Sequence, residues 1–419
     1  MSAALDRLEN ELAVVEARES VVRAWVQRID PTRLRAAVAN AGDGPLGGFT
    51  LGVKDIIDTE EGTTERGSPI YRGRQAGADA ACVALARRAG AVVAGKTATT
   101  EFAVLTPTVT TNPHDPTRTP GGSSSGSAAA VAAGMVRVAL GTQTAGSVIR
   151  PASFCGVAGF KPTYHAVPVS GVNPFSPSLD TVGYFARTVA DLAAVHLALT
   201  GMDVTAATPA RSGTPRVGLY RSHQWSSADA DSAAALDRAA AAWRAVGAEV
   251  VELEPIGALQ HLADDAQVIM FREGSRSLAR ERATHEALLS SGLRKLLAIG
   301  DTTTVARYAE AQRAAEAGRA AFDAVMAGTG ARGGAGSGGI GGFDVLLTPA
   351  VIGEAPPMAT TGDPVFCRVW TLLGAPALTI PTSTGRHGLP VGVQLIGSRW
   401  NDPALLAAGA RLEQELARR

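Results

Sequence analysis

The chain has no surplus of charge, few aromatic rings and almost no cysteine. Its 39 basic residues balance 39 acidic ones, so no net field is available to hold nucleic acid or an anionic membrane. Aromatics make up only 5% of the residues. Small apolar side chains dominate instead, which points to a compact chain with closely approaching backbones and away from disorder. Cys82, Cys155 and Cys367 are odd in number and widely spaced, with no CxxC pair and no matching histidines. That argues against a zinc site or a disulfide framework, and buried free thiols are the expected state. No apolar run reaches eighteen residues, so no membrane span is expected. The N-terminal LDRLENELAVVEARESVVRAWV carries charge throughout, where a secretory signal needs an unbroken apolar core. A reducing cytoplasm is the expected location.

Helical and strand patterns alternate along the whole chain. A first amphipathic helix is expected over residues 4–28. Segment 46–57 alternates glycine with strand formers, and a helix at 79–88 stopped by Gly90 leads into a buried strand at 91–96. Thr188 reads as the cap of a helix at 189–199, followed by strand 216–220, helix 229–246 and strand 249–253. Residues 259–327 read as mostly helical. Residues 328–342, GTGARGGAGSGGIGG, are too glycine-rich for a regular element and read as a flexible insertion in preference to a linker, because a strand resumes at Phe343. Strands at 377–380 and 391–396 precede a last helix from Asp402. With no break in composition, the expectation is a single α/β domain over 1–419, a mixed sheet between layers of helices.

The most chemically suggestive stretch is 121–163. It holds two loops of small residues, GGSSSGS at 121–127 and GTQTAGS at 141–147, around an Ala-rich segment and an apolar strand. A serine is a poor nucleophile until a base takes its proton. None of the histidines, at 114, 165, 196, 223, 261, 285 and 387, sits in a setting that recommends it. A lysine desolvated until it is neutral is the other choice, and Lys54 closes the apolar run FTLGVK, where an amine is drawn inward. A lysine at a strand end can equally reach solvent. Gly122 to Gly126 also matches GxSxG, which would make Ser124 the nucleophile and His387 a partner, but such a match is nearly free in an all-small loop. The phosphate-loop pattern GxxxxGK[ST] is absent.

Taken in order, GVKD, GGSSSGS, GTQTAGSVIRPASFCG, FKPT, DVLLTPA (344–350) and LPVGVQLIG (389–397) resemble the amidase signature family of serine hydrolases, over most of the chain. VKDIIDT (53–59), residues 139–156, and TGDP with RVWTLLG (361–374) are most similar to its malonamidase type. The resemblance implies that Ser147 is the nucleophile, Ser123 an intermediate serine beside a cis peptide, and Lys54 the base. A neutral lysine accepting from Ser123 while Ser123 accepts from Ser147 is a workable relay without histidine. Backbone N–H groups of Thr144, Ala145, Gly146 and Ser147 offer an oxyanion site, where a side chain on Gly146 would crowd the approach. Gly121, Gly122, Ser124 and Gln143 are the supporting loop residues. The family likeness also implies that 46–200 forms the signature core and that 259–327 varies and shapes the pocket.

One departure is informative. Most relatives read GTDTGGS where this chain has Gln143 and Ala145, so Arg150 lacks the acidic neighbour that normally pairs with it. Arg150 is then either free to hold a substrate carboxylate in bidentate fashion or tied to backbone carbonyls. The first reading predicts hydrolysis of a short acidic amide such as malonamate to carboxylate and ammonia. Aliphatic, aryl, urea-like or carbamate substrates are the alternatives, and service within a tRNA-dependent amidotransferase complex is a rival role that Gln143 disfavours. No metal or organic cofactor is expected, and malonamidase-type relatives imply a homodimer. Asp55 and Asp58 read as solvent-facing or turn-capping, Asp180 as satisfying loop backbone, and Phe366 and Trp370 as core.

Overall fold

The computed structural model describes residues 3–206, 214–329 and 342–419. Its described strands form one sheet, with β1 (Trp25–Arg28), β2 (Thr50–Lys54), β3 (Val92–Thr97), β4 (Val138–Gln143), β5 (Ala158–Lys161), β6 (Thr181–Ala186), β7 (Arg216–Tyr220), β8 (Glu249–Leu253), β9 (Val345–Pro349), β10 (Ala377–Thr384) and β11 (Pro390–Ile396). The spatial order is β1-β3-β2-β4-β6-β5-β10-β11-β9-β7-β8. The pairs β2/β3, β2/β4, β7/β8 and β7/β9 are parallel, and the other neighbours are antiparallel. This is the mixed sheet between helical layers that the alternating patterns predict.

Strand alternation divides the first half of the sheet into two faces. Val92 and Ala94 of β3, Ala139 of β4 and Phe185 of β6 enter one apolar cluster, with Leu8, Val15, Leu34 and Val38 from the helices Ala3–Val22 and Pro31–Ala39. Val93, Val138, Leu140, Val182 and Tyr184 enter the other, with Leu192, Val195 and Leu412 from the helices Val189–Thr200 and Asp402–Ala417. Helix Ser125–Ala133, which begins in the first serine loop, has eight of its nine residues buried. A helix enclosed on every side needs small side chains, and SGSAAAVAA supplies them.

The first helix is shorter than the expected span of 4–28. It ends at Val22, Arg23 takes φ 52°, and Trp25–Arg28 pairs as an edge strand with β3. The Glu19 carboxylate accepts from the N–H of Ala24 and Trp25 at 3.1 and 2.9 Å, fixing the reversal. A pattern of apolar and charged residues running through the break hid it from sequence reading. Most other boundaries move by one or two residues, with Ala81–Arg88 for 79–88 and Ala230–Ala245 for 229–246, while the strand expected at 377–380 runs on to Thr384. Thr188 caps its helix by accepting from Asp191 N at 3.2 Å. Of the glycine-rich segment 328–342, residues 330–341 lie outside the described residues.

Residues 259–327 fold into the helices Leu262–Ser277, Ala279–His285, Ser291–Thr302 and Val305–Ala327. They pack beside the sheet, and a separate apolar cluster joins Leu278, Leu289, Leu293, Leu296 and Leu297 to Phe102, Val104 and Phe175 from the signature half. Each such buried side chain contributes about 1.5–3 kcal/mol. The cluster therefore holds the helical region against the loops that surround Ser123 and Ser147. All three cysteines are buried and free, and no described helix is long and apolar enough to cross a membrane.

Candidate active site

The C-terminal ends of the parallel strands β2 and β4 bring the two halves of the site together. Val53 pairs with Leu140, so Lys54, the last residue of β2, reaches the start of the second serine loop. Lys54 is fully buried, and its Nζ donates to Ser123 Oγ at 2.7 Å and to Thr142 Oγ1 at 2.8 Å. Burial holds its pKa well below the ordinary lysine value, with the field of Asp180 acting in the opposite sense. A neutral amine keeps a lone pair, so the Ser123 contact can reverse, with the hydroxyl donating.

Ser123 follows a cis peptide, Gly122-Ser123. Its neighbours are committed elsewhere. Ser124 is fully buried, donates to Thr142 O at 3.2 Å and accepts from Thr142 N at 3.3 Å, and Ser125 donates to Gly121 O at 2.7 Å. His387 is exposed and pairs with Glu354 at 2.6 Å. The GxSxG alternative therefore has neither a free hydroxyl nor an imidazole. Gly122 packs so closely that a Cβ there would lie 2.8 Å from Thr361 Cγ2.

Ser123 and Ser147 line one cavity of about 120 Å³, together with Thr144, Ala145 and Arg150. No hydrogen bond joins the two serine hydroxyls, and Ser147 Oγ bonds to no described residue. The first link of the predicted relay is thus formed, while the second pair shares a cavity without a direct bond. Among the described residues, the N–H groups of Thr144, Ala145, Gly146 and Ser147 also lack acceptors. Four consecutive unpaired donors beside a hydroxyl can hold an oxyanion.

Gln143 explains how that loop keeps its shape. Its Oε1 accepts from Val148 N at 2.9 Å and Ile149 N at 3.1 Å, while Nε2 donates to Thr371 Oγ1 at 2.9 Å. Thr371 in turn donates to Ala145 O at 2.9 Å. Thr144 Oγ1 donates to Asp180 Oδ1 at 2.5 Å. The tight spot at Gly146 lies on the protein side, since a Cβ there would meet Pro364 Cβ at 2.8 Å and Cys367 Cβ at 3.1 Å. Crowding by a side chain at Gly146 would thus fall on Pro364 and Cys367, where the sequence reading placed it on the substrate's approach.

Arg150 combines features of both sequence readings. It is 5% exposed, and its Nη2 donates to Gly122 O at 2.6 Å and reaches Thr361 Oγ1 at 3.5 Å. Its Nε and Nη1 have no partner among the described residues. Burial lowers the guanidinium pKa to about 10. Asp363, whose field reaches Arg150, is itself paired with Arg368 at 2.7 Å. A backbone tie and an uncommitted charge thus coexist in one side chain.

Asp55 departs from expectation. It is fully buried and accepts from Glu65 N at 3.2 and 3.1 Å, with Lys96 Nζ 4.0 Å away, and desolvation raises its pKa to about 6. It follows β2 directly and lies beside a lysine of β3, a pairing invisible before the register is known. Asp58 meets Arg74 at 2.7 Å and is half-buried. Asp180 accepts from Phe175 N and Ser176 N at 2.7 and 2.9 Å, as a loop-satisfying role requires. Phe366 and Trp370 are buried, as core residues should be.

Sequence reasoning missed Thr142, the second partner of Lys54, and the cavity residues Phe175, Gln267, Met270, Phe271 and Arg368. Thr142 carried a faint signal, a polar strand former two residues before the loop of Ser147. Gln267, Met270 and Phe271 fall in the segment 259–327 that the family likeness expects to shape the pocket, although no residue of it was singled out, and Phe175 and Arg368 had no signal as cavity residues.

Comparison with known proteins bears on the family and the class of chemistry. The family model described as Amidase matches residues 3–406. A glutamyl-tRNA(Gln) amidotransferase component from Chloroflexus aurantiacus (strain ATCC 29366 / DSM 635 / J-10-fl) is 32% identical over 468 aligned residues, covering 97% of this chain and 92% of that protein. Native peptide amidase from Stenotrophomonas maltophilia superposes with a TM-score of 0.78 at 28% identity, covering 99% of this chain and 94% of that one. A structure of a vestigial protein complex that reveals the evolutionary origins of an s-triazine catabolic enzyme gives a TM-score of 0.86 at 28% identity, over 99% and 95% of the two chains. With a family match across nearly its whole length and neighbours that are amide hydrolases, the chain belongs to the Amidase family and is an amidohydrolase.

Proposed function

We propose that the substrate is a small carboxamide bearing a carboxylate, of malonamate size, as the likeness to the malonamidase type implies. The observation that carries this reading is the pair of unpartnered Arg150 nitrogens at a cavity of only about 120 Å³, with Gln143 turned away from them. A charged cavity of that size suits a short anion better than a long or apolar chain.

In this reading neutral Lys54 takes the Ser123 proton as Ser123 takes that of Ser147. Ser147 Oγ attacks the amide carbon, and the oxyanion is held by the N–H groups of Ala145, Gly146 and Ser147, with Thr144 anchoring the loop. Collapse breaks the carbon–nitrogen bond, and the proton returns through Ser123 to the leaving ammonia. Water then gives its proton to the same relay, attacks the acyl-enzyme and frees the carboxylate with Ser147 restored.

A direct test is ammonia release from malonamate and from propionamide by the wild type and Arg150→Ala. Loss of a hydrogen-bonded charge, at about 1.5–3 kcal/mol, lowers kcat/KM for malonamate by about 10–150-fold. Propionamide should lose far less, and an equal loss on both counts against the carboxylate role.

A second reading is favoured by the glutamyl-tRNA(Gln) amidotransferase components among the relatives. On it the chain would pass ammonia to charged tRNA within a complex, and the purified chain alone would release none from small amides. Release by the isolated chain supports hydrolysis as its own activity. Biuret-like and aryl amides in the same screen mark out the broader alternatives.

A further inference from the structure

Two carboxylates, half-buried Asp180 and buried Glu273, lie between the oxyanion loop and the helix that supplies the far wall of the cavity. Asp180 accepts from Thr144 Oγ1 at 2.5 Å on one side and from Phe175 N and Ser176 N at 2.7 and 2.9 Å on the other. Glu273 stands on helix Leu262–Ser277 and accepts from Ser176 Oγ at 2.8 Å, Ser178 N at 2.9 Å, Ser178 Oγ at 2.5 Å and Tyr308 OH at 2.6 Å. Loop 175–180 is therefore tied internally by its own Asp180 and to the helix by Glu273. Its Phe175 lines the cavity and packs against the same helix, where a Cβ on Gly274 would lie 2.4 Å from Phe175 Cζ. The helix contributes Gln267, Met270 and Phe271 to the cavity wall.

We infer that Asp180 and Glu273 are positioning residues that couple the cavity wall to the oxyanion loop, so that fit at Gln267, Met270 and Phe271 is expressed in the alignment of the N–H groups that follow Thr144. Neither carboxylate lines the cavity, and both act through loop 175–180. Seven hydrogen bonds onto these two acceptors leave that loop little independent freedom. A displacement of helix Leu262–Ser277 thus reaches Thr144 through Glu273, Ser176 and Asp180, a contiguous hydrogen-bonded path. A substrate that fills the wall poorly is expected to lose kcat more than KM, because the misalignment falls where charge develops.

The inference rests on the oxyanion reading of the 144–147 loop, and its test separates the two. Reaction with an alkyl fluorophosphonate forms a P–O bond to a serine hydroxyl and releases fluoride, whatever amide is the natural substrate. The maximal labelling rate and half-saturating probe concentration are measured for wild type, Thr144→Val, Thr144→Ser, Glu273→Gln and the Thr144→Val/Glu273→Gln pair, with Tm as the folding control.

Thr144→Val is expected to lower the maximal rate by at least about tenfold, a fraction of what losing an oxyanion donor costs, with half-saturation and Tm little changed. Thr144→Ser keeps the hydroxyl and restores most of the rate. Glu273→Gln lowers the rate severalfold, and the pair loses no more than Thr144→Val alone, because both act through one loop. Failure of Thr144→Ser to recover the rate, or losses that multiply in the pair, would overturn the coupling. An unlabelled wild type would instead remove the reading of the site itself.

Discussion

Lys54 and Lys96 stand near the ends of neighbouring parallel strands, are equally cut off from water, and serve opposite ends. Lys54 is 0% exposed and Lys96 1%, and burial lowers the pKa of both, Lys96 to about 8. Val53 pairs with Lys96, so the two amines leave the sheet on opposite faces. Lys96 meets Ile57 O, Thr64 Oγ1 at 2.8 Å and the Asp55 carboxylate at 4.0 Å. Lys54 meets two hydroxyls, one of which lines the cavity. Burial alone therefore does not make a base. The partner decides, because a carboxylate stabilises the charged amine and a hydroxyl leaves it free to accept a proton.

Exchanging each lysine for methionine sharpens this contrast most. Lys54→Met is expected to cut turnover by about 10²–10⁴-fold, the usual worth of a general base, while Tm holds or rises, since an apolar chain replaces a buried amine without a carboxylate partner. Lys96→Met should do the reverse, destabilising the fold by about 3–5 kcal/mol through the uncompensated Asp55, with fluorophosphonate labelling of the folded fraction retained. Thermal melts and labelling on the same samples check both, and a Lys54→Met protein with intact turnover would end the relay proposal.

The next effect is on pH dependence. The base must be neutral, so turnover rises as pH climbs through the depressed pKa of Lys54 and levels above it. Asp180 is the charge that raises that pKa, and Asp180 is itself faced by Glu273 and Tyr164. Asp180→Asn should move the acid limb of kcat/KM to lower pH, whatever it does to the plateau. A limb left in place would mean that another group titrates there.

The smallest effect concerns a third buried lysine. Lys161 donates to Pro162 O at 2.9 Å, and burial lowers its pKa to about 7 against an ordinary 10.5. Between those values the unfolded chain binds the extra proton, so stability should rise with pH from about 7 to 10.5. Lys161→Met should flatten that part of the Tm profile. An unchanged slope would assign it to the other buried lysines, Lys54 and Lys96.

Much of the fold could be read from the sequence because its signals are local. Gly90 and Thr188 mark where helices stop and start, and apolar runs mark buried strands. The break at Arg23 escaped because a side chain, Glu19, makes the turn, and nothing in the pattern changes there. Strand order and register were not legible, and with them went the pairing of Asp55 with Lys96. In the site, Lys54, Ser123, Ser147 and Arg150 stand in short motifs whose chemistry can be argued residue by residue. Thr361 and Arg368 join the cavity only in space, and which residues of the helical segment face it could not be read before the structure.

The contacts of the segment 361–371 carry a consequence for biosynthesis. Thr361 packs on Gly122 and reaches Arg150, Pro364 and Cys367 close over Gly146, and Thr371 bonds both Gln143 and Ala145. A ribosome that has translated both serine loops has yet to make the residues that brace them, and more than two hundred further codons separate Ser147 from those supports. Nascent and prematurely terminated chains should therefore be inert, so that the cell meets a working hydrolase only when synthesis is nearly done.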